Sequence, residues 1–280
     1  MEIIRAKVLG FCFGVKRAVD LVEEETEQRG SLSTLGFVVH NPSVVEDLSQ
    51  KGAKVVKSLE EVPTDTVTIT AHGVAPAVYK KVKEMGLNLV DATCPIVSKS
   101  QKAAYELAEE GFKVVIYGEE NHPEMRGVLG WSKGQSIATM DPEIEIDIPR
   151  RKVALIAQTT KSEESFAEFV GKFVAKNLGL INELRVINTT CPETDERYDA
   201  AKELAKTVDL MIVVGGKNSA NTRKLAHTCD SQGVETHQVE TADEIERQWL
   251  VGRERVGVTA GASTPDSAIE EVEKRLRSMA

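Results

Sequence analysis

A chain of 280 residues can hold one large core or two or three small ones, and 35 basic against 44 acidic side chains give a formal charge of -9 at pH 7. That field repels phosphate backbones and anionic lipid, so nucleic acid and membrane are poor partners. No apolar run approaches the roughly 18–20 residues that span a bilayer.

The chain opens on an apolar stretch, residues 8–15, preceded by Glu2 and followed by no small-x-small cleavage site, so it reads as mature protein. With no organelle-targeting leader, the expected setting is a bacterial cytoplasm, where four cysteines serve as thiols or metal ligands rather than disulfides. Lys16 and Arg17 then open an amphipathic helix, with Glu23, Glu24 and Glu25 on its solvated face. Runs of strand length follow at Gly36-Phe37-Val38-Val39, Val67-Thr68-Ile69-Thr70, Val114-Val115-Ile116-Tyr117, Val153-Ala154-Leu155-Ile156-Ala157, Leu210-Met211-Ile212-Val213-Val214 and Val256-Gly257-Val258-Thr259. Helical spacing occupies 101–110, 163–178 and 197–207. Strands alternating with helices predict an α/β fold with mostly parallel sheets.

The segments that begin at Cys12, Cys94 and Cys191 keep one register. Gly36, Gly118 and Gly215 each lie 24 residues after their cysteine; His40, His122 and Ser219 lie at 28, and Pro42, Glu124 and Asn221 at 30. Two copies share Thr-Cys-Pro, at Thr93-Cys94-Pro95 and Thr190-Cys191-Pro192. The expected unit is a cysteine, a helix, a buried strand and a polar loop, repeated in three pseudo-threefold-related lobes over residues 1–93, 94–190 and 191–280. Ligands of parallel sheets gather at the carboxyl ends of strands, where the residues at 28 and 30 fall. A second set of strand ends supplies Thr70-Ala71-His72-Gly73, Ala157-Gln158-Thr159-Thr160 and Thr259-Ala260-Gly261-Ala262-Ser263. If the lobes face a common axis, three thiols meet at its centre.

A cysteine at a helix start has its thiolate favoured by the helix dipole and by unpaired amides, which suits a metal ligand. Three such thiolates could hold zinc with a fourth ligand, or a cubane iron-sulfur cluster that leaves one iron without a protein ligand. The absence of any CxxC pair argues against structural zinc. An open iron supports Lewis-acid and redox chemistry. Lacking a dinucleotide fingerprint and a Walker loop, the chain would take its electrons from another protein. Off the register, Cys229 reads as a buried small hydrophobe and His227 and His237 as ordinary surface or capping residues, while Trp131 and Trp249 have no legible role.

Seven motifs in order, Gly10-Phe11-Cys12-Phe13-Gly14-Val15, Ala71-His72-Gly73, Asp91-Ala92-Thr93-Cys94-Pro95, Asn121-His122-Pro123-Glu124, Gln158-Thr159-Thr160, Asn218-Ser219-Ala220-Asn221 and Thr259-Ala260-Gly261-Ala262-Ser263, span nearly the whole chain. Together they resemble the 4-hydroxy-3-methylbut-2-enyl diphosphate reductase family. The resemblance implies reductive dehydroxylation of an allylic diphosphate to isopentenyl and dimethylallyl diphosphate, the last step of the methylerythritol phosphate route. It implies that Cys12, Cys94 and Cys191 ligate one 4Fe-4S cluster whose fourth iron is open to the substrate hydroxyl. It makes Glu124 the acid, with Thr159 beside the hydroxyl and His122 linking the relay to the diphosphate. His40, His72, Ser219, Asn221 and Ser263 would hold the diphosphate, and a ferredoxin or flavodoxin-type protein would supply electrons. Ala220 departs from the family, which often has a second serine there.

Hydroxide is a poor leaving group, so Glu124 needs a raised pKa to act as its acid. Thr159 and Ser263 also suit a capping role for helices beginning near Ser162 and Thr264. Two other functions use the same residues: a non-catalytic iron-sulfur sensor of diphosphates, and a three-cysteine zinc hydrolase with Glu124 as general base.

Overall fold

The computed structural model describes residues 1–39, 41–148, 150–217 and 219–279, so His40 and Asn218 lie outside the described residues. In chain order the elements begin with β1 (Glu2–Arg5), α1 (Phe13–Arg29), β2 (Leu32–Leu35), α2 (Pro42–Gln50), β3 (Ala53–Val56), β4 (Thr66–Ile69), α3 (Pro76–Glu84) and β5 (Asn88–Asp91). Next come α4 (Pro95–Glu109), β6 (Lys113–Tyr117), α5 (Pro123–Trp131), β7 (Ser136–Thr139), β8 (Lys152–Ala157), α6 (Glu163–Asn177) and β9 (Glu183–Val186). The chain finishes with α7 (Pro192–Ala205), β10 (Leu210–Val214), α8 (Ala220–Asp230), β11 (Glu235–Val239), β12 (Arg255–Ala260) and α9 (Asp266–Met279). No described helix is long and apolar enough to cross a membrane.

The strands form three four-stranded sheets, ordered β3-β2-β4-β5, β7-β6-β8-β9 and β11-β10-β12-β1, with parallel pairing throughout. The fold is α/β, and the three sheets share one strand order. In each, the strand after the cysteine helix is central, the next strand lies at its edge, and the third returns to its other side. The fourth position of the last sheet is filled by β1, which pairs with β12 in the register Ile3 to Val256.

By contacts the chain divides into two compact units, one of Met1–Val19, Val38–Leu48 and Pro192–Ala280, the other of Asp20–Phe37 and Ser49–Cys191. The first holds the sheet of β1 and β10 to β12. Side chains alternate across a strand, so Leu210, Ile212 and Val214 of β10 pack with Ile269, Val272 and Leu276 of α9. Met211 and Val213 face Ala201 and Leu204 of α7 and Leu225 of α8. Burial on both faces explains why β10 is apolar at every position. The second unit holds the other two sheets. There Val114 and Ile116 of β6 face α4 and α5, while Val115 and Tyr117 face Phe166, Phe169 and Phe173 of α6.

Five of the six expected strand runs coincide with strands. The first does not: β2 is Leu32–Leu35, and Gly36-Phe37-Val38-Val39 follows it as an irregular, bent segment. Gly36 has φ +86°, a left-handed conformation that ends an extended strand. The strand itself is built from Leu32, Ser33 and Thr34, all fully buried. Central pairing to β3 and β4 carries these hydroxyl residues into the interior, against the hydropathy signal.

Candidate active site

The three cysteines stand in one local geometry, each immediately before a helix: Cys12 before α1, Cys94 before α4 and Cys191 before α7. Pro95 and Pro192 occupy the first helical position, where the missing N–H costs nothing. The approach to two of them is set by an Asx turn. Asp91 Oδ1 accepts the Thr93 N–H at 2.9 Å and Asn188 Oδ1 accepts the Thr190 N–H at 3.0 Å, and the Thr93 and Thr190 hydroxyls donate to the same two oxygens, which accounts for the shared threonine. Each cysteine N–H then bonds a carbonyl two residues beyond the third strand of a sheet in its own unit: Cys12 to Ala262 at 3.2 Å, Cys94 to Ala71 at 3.0 Å and Cys191 to Thr159 at 2.8 Å. All three side chains are half-buried, whereas Cys229 is fully buried. Burial pushes the Cys229 thiol up to about 12, which makes it a poor ligand.

The register glycines end the central strands in the same way. The N–H groups of Gly36, Gly118 and Gly215 bond the last residues of β3, β7 and β11, Val56, Thr139 and Val239, at 2.9, 3.0 and 2.9 Å. Four residues further on, His122 caps α5, its Nδ1 accepting the Glu124 N–H at 3.2 Å. That acceptor role puts the proton of a neutral His122 ring on Nε2. Ser219 caps α8, its Oγ accepting the Thr222 N–H at 3.2 Å.

In the second unit the structure brings together Glu124, Thr159, His72 and His122. Glu124 is 2% exposed on the first turn of α5. Its Oε1 accepts the Thr159 N–H at 2.8 Å and its Oε2 accepts the Thr159 hydroxyl at 2.8 Å. Burial pushes the carboxyl up to about 7, partly opposed by the two Thr159 hydrogen bonds and by the charge of Lys161. Thr159 therefore serves Glu124, and the cap of α6 is Ser162 instead. The His72 and His122 rings meet edge to face with centroids 5.6 Å apart, and His72 Nδ1 lies 3.2 Å from the Thr70 hydroxyl.

The first unit holds Cys12, Ser219, Asn221 and Ser263. Asn221 Oδ1 accepts from the Tyr198 hydroxyl at 2.9 Å. Ser263 adjoins Ala262, whose carbonyl holds Cys12. In chemical terms each cysteine is suited to bind a soft metal as a thiolate. Each is a soft donor at a helix start, and the Val15 N–H lies 3.5 Å from Cys12 Sγ, where it favours a charged sulfur.

The family model for LytB protein matches residues 3–277. The chain belongs to the LytB protein family. Its relatives include 4-hydroxy-3-methylbut-2-enyl diphosphate reductase of Dehalococcoides mccartyi, 44% identical over 97% of this chain and 96% of that one. The enzyme of that name from Aquifex aeolicus is 42% identical over 99% and 96%. A solved structure of the reductase, described as the terminal enzyme of the non-mevalonate pathway, matches with TM-score 0.77 and 39% identity over 99% of this chain and 100% of that one. The structure of the Plasmodium falciparum diphosphate reductase matches with TM-score 0.86 and 27% identity over 99% and 87%.

Several residues of this LytB family member escaped the sequence reading. Gln101 and Tyr198 both lie seven residues after their cysteines and are 4% and 5% exposed. Two helical turns place them on the inner face of α4 and α7, and the shared polar character at that offset was the available signal. Trp131 also has a role: its Nε1 donates to the Val74 carbonyl at 3.0 Å, tying the end of α5 to the loop that follows His72.

Proposed function

We propose that this chain reductively dehydroxylates 4-hydroxy-3-methylbut-2-enyl diphosphate to isopentenyl and dimethylallyl diphosphate, in a bacterial cytoplasm. The observation that carries this reading is a buried carboxyl on Glu124 with a pKa near 7, set in a family whose relatives bear the reductase name. Overall, the allylic alcohol takes two electrons and two protons, its C–O bond breaks, and the hydroxyl leaves as water.

Cys12, Cys94 and Cys191 would hold a 4Fe-4S cluster. When bound, that group supplies electrons and a Lewis-acidic iron without a protein ligand. Electrons would come from a ferredoxin or flavodoxin-type protein.

Glu124 holds the proton that the leaving hydroxyl needs. At neutral pH a carboxyl near 7 is protonated in a large fraction of molecules, and it lies close to the ideal acid strength for that pH. Thr159 spends its N–H and O–H on the two carboxylate oxygens, so its own oxygen is oriented to accept from the substrate hydroxyl. His122 accepts the Glu124 backbone N–H at Nδ1, which steadies the turn that carries the acid, and its Nε2–H would be offered to the diphosphate. His72, Ser219, Asn221, Ser263 and His40 would bind the diphosphate oxygens, using neutral donors and histidines in place of a Lys and Arg clamp. Nothing observed favours a sensor or a zinc hydrolase over this reading.

The test is anaerobic purification, iron analysis and assay with reduced viologen. Brown protein with about four irons per chain is expected, with dye oxidation only when the allylic diphosphate is added. Glu124→Gln should keep the iron and lose about 100-fold or more in turnover. Colourless protein, or Glu124→Gln turning over normally, would remove the cluster assignment or the acid assignment respectively.

A further inference from the structure

Tyr198 of α7 and Asn221 of α8 lie in the same unit and meet through one hydrogen bond. The Tyr198 ring is buried among Ala6, Ala201, Met211 and Leu225. A tyrosine so placed has one polar atom to satisfy, and its hydroxyl donates to Asn221 Oδ1 at 2.9 Å. A carboxamide whose oxygen is engaged in this way turns its NH2 away from that partner. Burial, reinforced by the charge of Asp195, pushes the phenol up to about 12, so it remains a donor through the neutral range. On the preceding residue of α7, buried Arg197 donates to the Ala260 carbonyl at 2.9 Å, at the end of the strand that leads to Ser263. One helix thus steadies both strand-end segments that carry expected diphosphate donors in this unit.

We propose that Tyr198 is a positioning residue, which fixes the Asn221 carboxamide so that Nδ2 rather than Oδ1 is offered to the substrate diphosphate. The proposal rests on the reading of Asn221 as a diphosphate ligand. An unrestrained amide can turn its oxygen outward, and that lone pair repels an anion. Tyr198 therefore acts on affinity for the diphosphate end of the substrate and leaves the proton transfer at Glu124 untouched.

The test pairs Tyr198→Phe with Asn221→Ala in the holoenzyme. Steady-state kinetics and calorimetric titration with inorganic diphosphate are read on each single variant and on the double variant. In Tyr198→Phe, KM and the diphosphate Kd should each rise by about three- to tenfold, with kcat within about twofold of the parent. Tyr198→Phe should add nothing further in the Asn221→Ala background. Weaker diphosphate binding in Asn221→Ala but unchanged binding in Tyr198→Phe overturns the positioning role and leaves the ligand assignment standing. An equal loss from Tyr198→Phe in both backgrounds also overturns it, because the hydroxyl would then act through something other than Asn221. If neither single variant alters diphosphate binding, Asn221 is no ligand and the proposal falls with that assignment. Should Tyr198→Phe fail to fold, a crystal structure of the holoenzyme with inorganic diphosphate carries the test. Asn221 must then keep Oδ1 on the Tyr198 hydroxyl and turn Nδ2 to the anion, and loss of the Tyr198 contact or any other partner for Nδ2 overturns the proposal.

Discussion

Glu124 is the acid in the proposed reaction, and the burial that raises its pKa also makes it a source of pH-dependent stability. Its carboxyl titrates near 7 in the fold against roughly 4.3 to 4.5 in an unfolded chain. A raised carboxyl pKa means that the folded state binds the proton more tightly. The favourable contribution is therefore complete below about pH 4.5, declines as pH rises, and is gone once pH passes about 7. A shift of this size corresponds to about 3 kcal/mol. Denaturant unfolding at pH 5 and pH 8 should show wild type losing about 2–3 kcal/mol more than Glu124→Gln over that interval. Parallel pH dependences in the two proteins would mean that the carboxyl is not held high. The need for a raised pKa followed from the role that the family resemblance gives Glu124, and the structure bears it out, but its physical cause could not be read at Glu124 itself. Its place 30 residues after Cys94 marks a strand-end position, but the desolvation comes from a fold that closes over it, and its partner Thr159 is 35 residues away.

At the scale of elements, α5 carries His122 and Glu124 at its start and rests its later turns on the loop after His72. A Cβ added at Gly130 would lie 2.3 Å from the Ala75 Cβ and 3.1 Å from the Ala75 Cα, and one at Gly127 would lie 3.3 Å from the Gly73 carbonyl oxygen. This glycine face, together with the bond from Trp131 to Val74, fixes the two histidine-bearing segments against each other. In an open helix Gly→Ala stabilises by about 1 kcal/mol. Gly130→Ala should instead destabilise by about 1–3 kcal/mol, because Ala75 has no flexible end to move aside. Gly171 of α6 has nothing within 4 Å of its added Cβ and is the matched control, expected to gain stability. Equal changes at the two sites would dismiss the close contact at α5. Trp131 shows why such roles stay hidden in a sequence: its partner is a backbone carbonyl 57 residues away, and a carbonyl leaves no trace in residue identity.

At the scale of the molecule, each sheet has the same strand order, yet the sheet of the last third is completed by the first strand of the chain. Removing residues 1–5 should strip amide protection from the edge of β12 that faces β1 and spare the β10 to β11 pairing, as measured by hydrogen exchange. Retained protection along that edge would show that β1 contributes little. The sequence by itself determined what repeats: the cysteine spacing, the strand ends at 24 residues, the polar positions at 28 and 30, and five of the six strand runs. Those features are local, since a helix start, an apolar strand and a glycine turn each depend on near neighbours. Tertiary structure alone decided that Ser33 and Thr34, not Phe37 and Val38, form a central strand, that β1 joins β12, and that Tyr198 holds Asn221. Each of these turns on which distant surfaces bury one another, and desolvation is a property of the assembled core that no window of neighbouring residues contains.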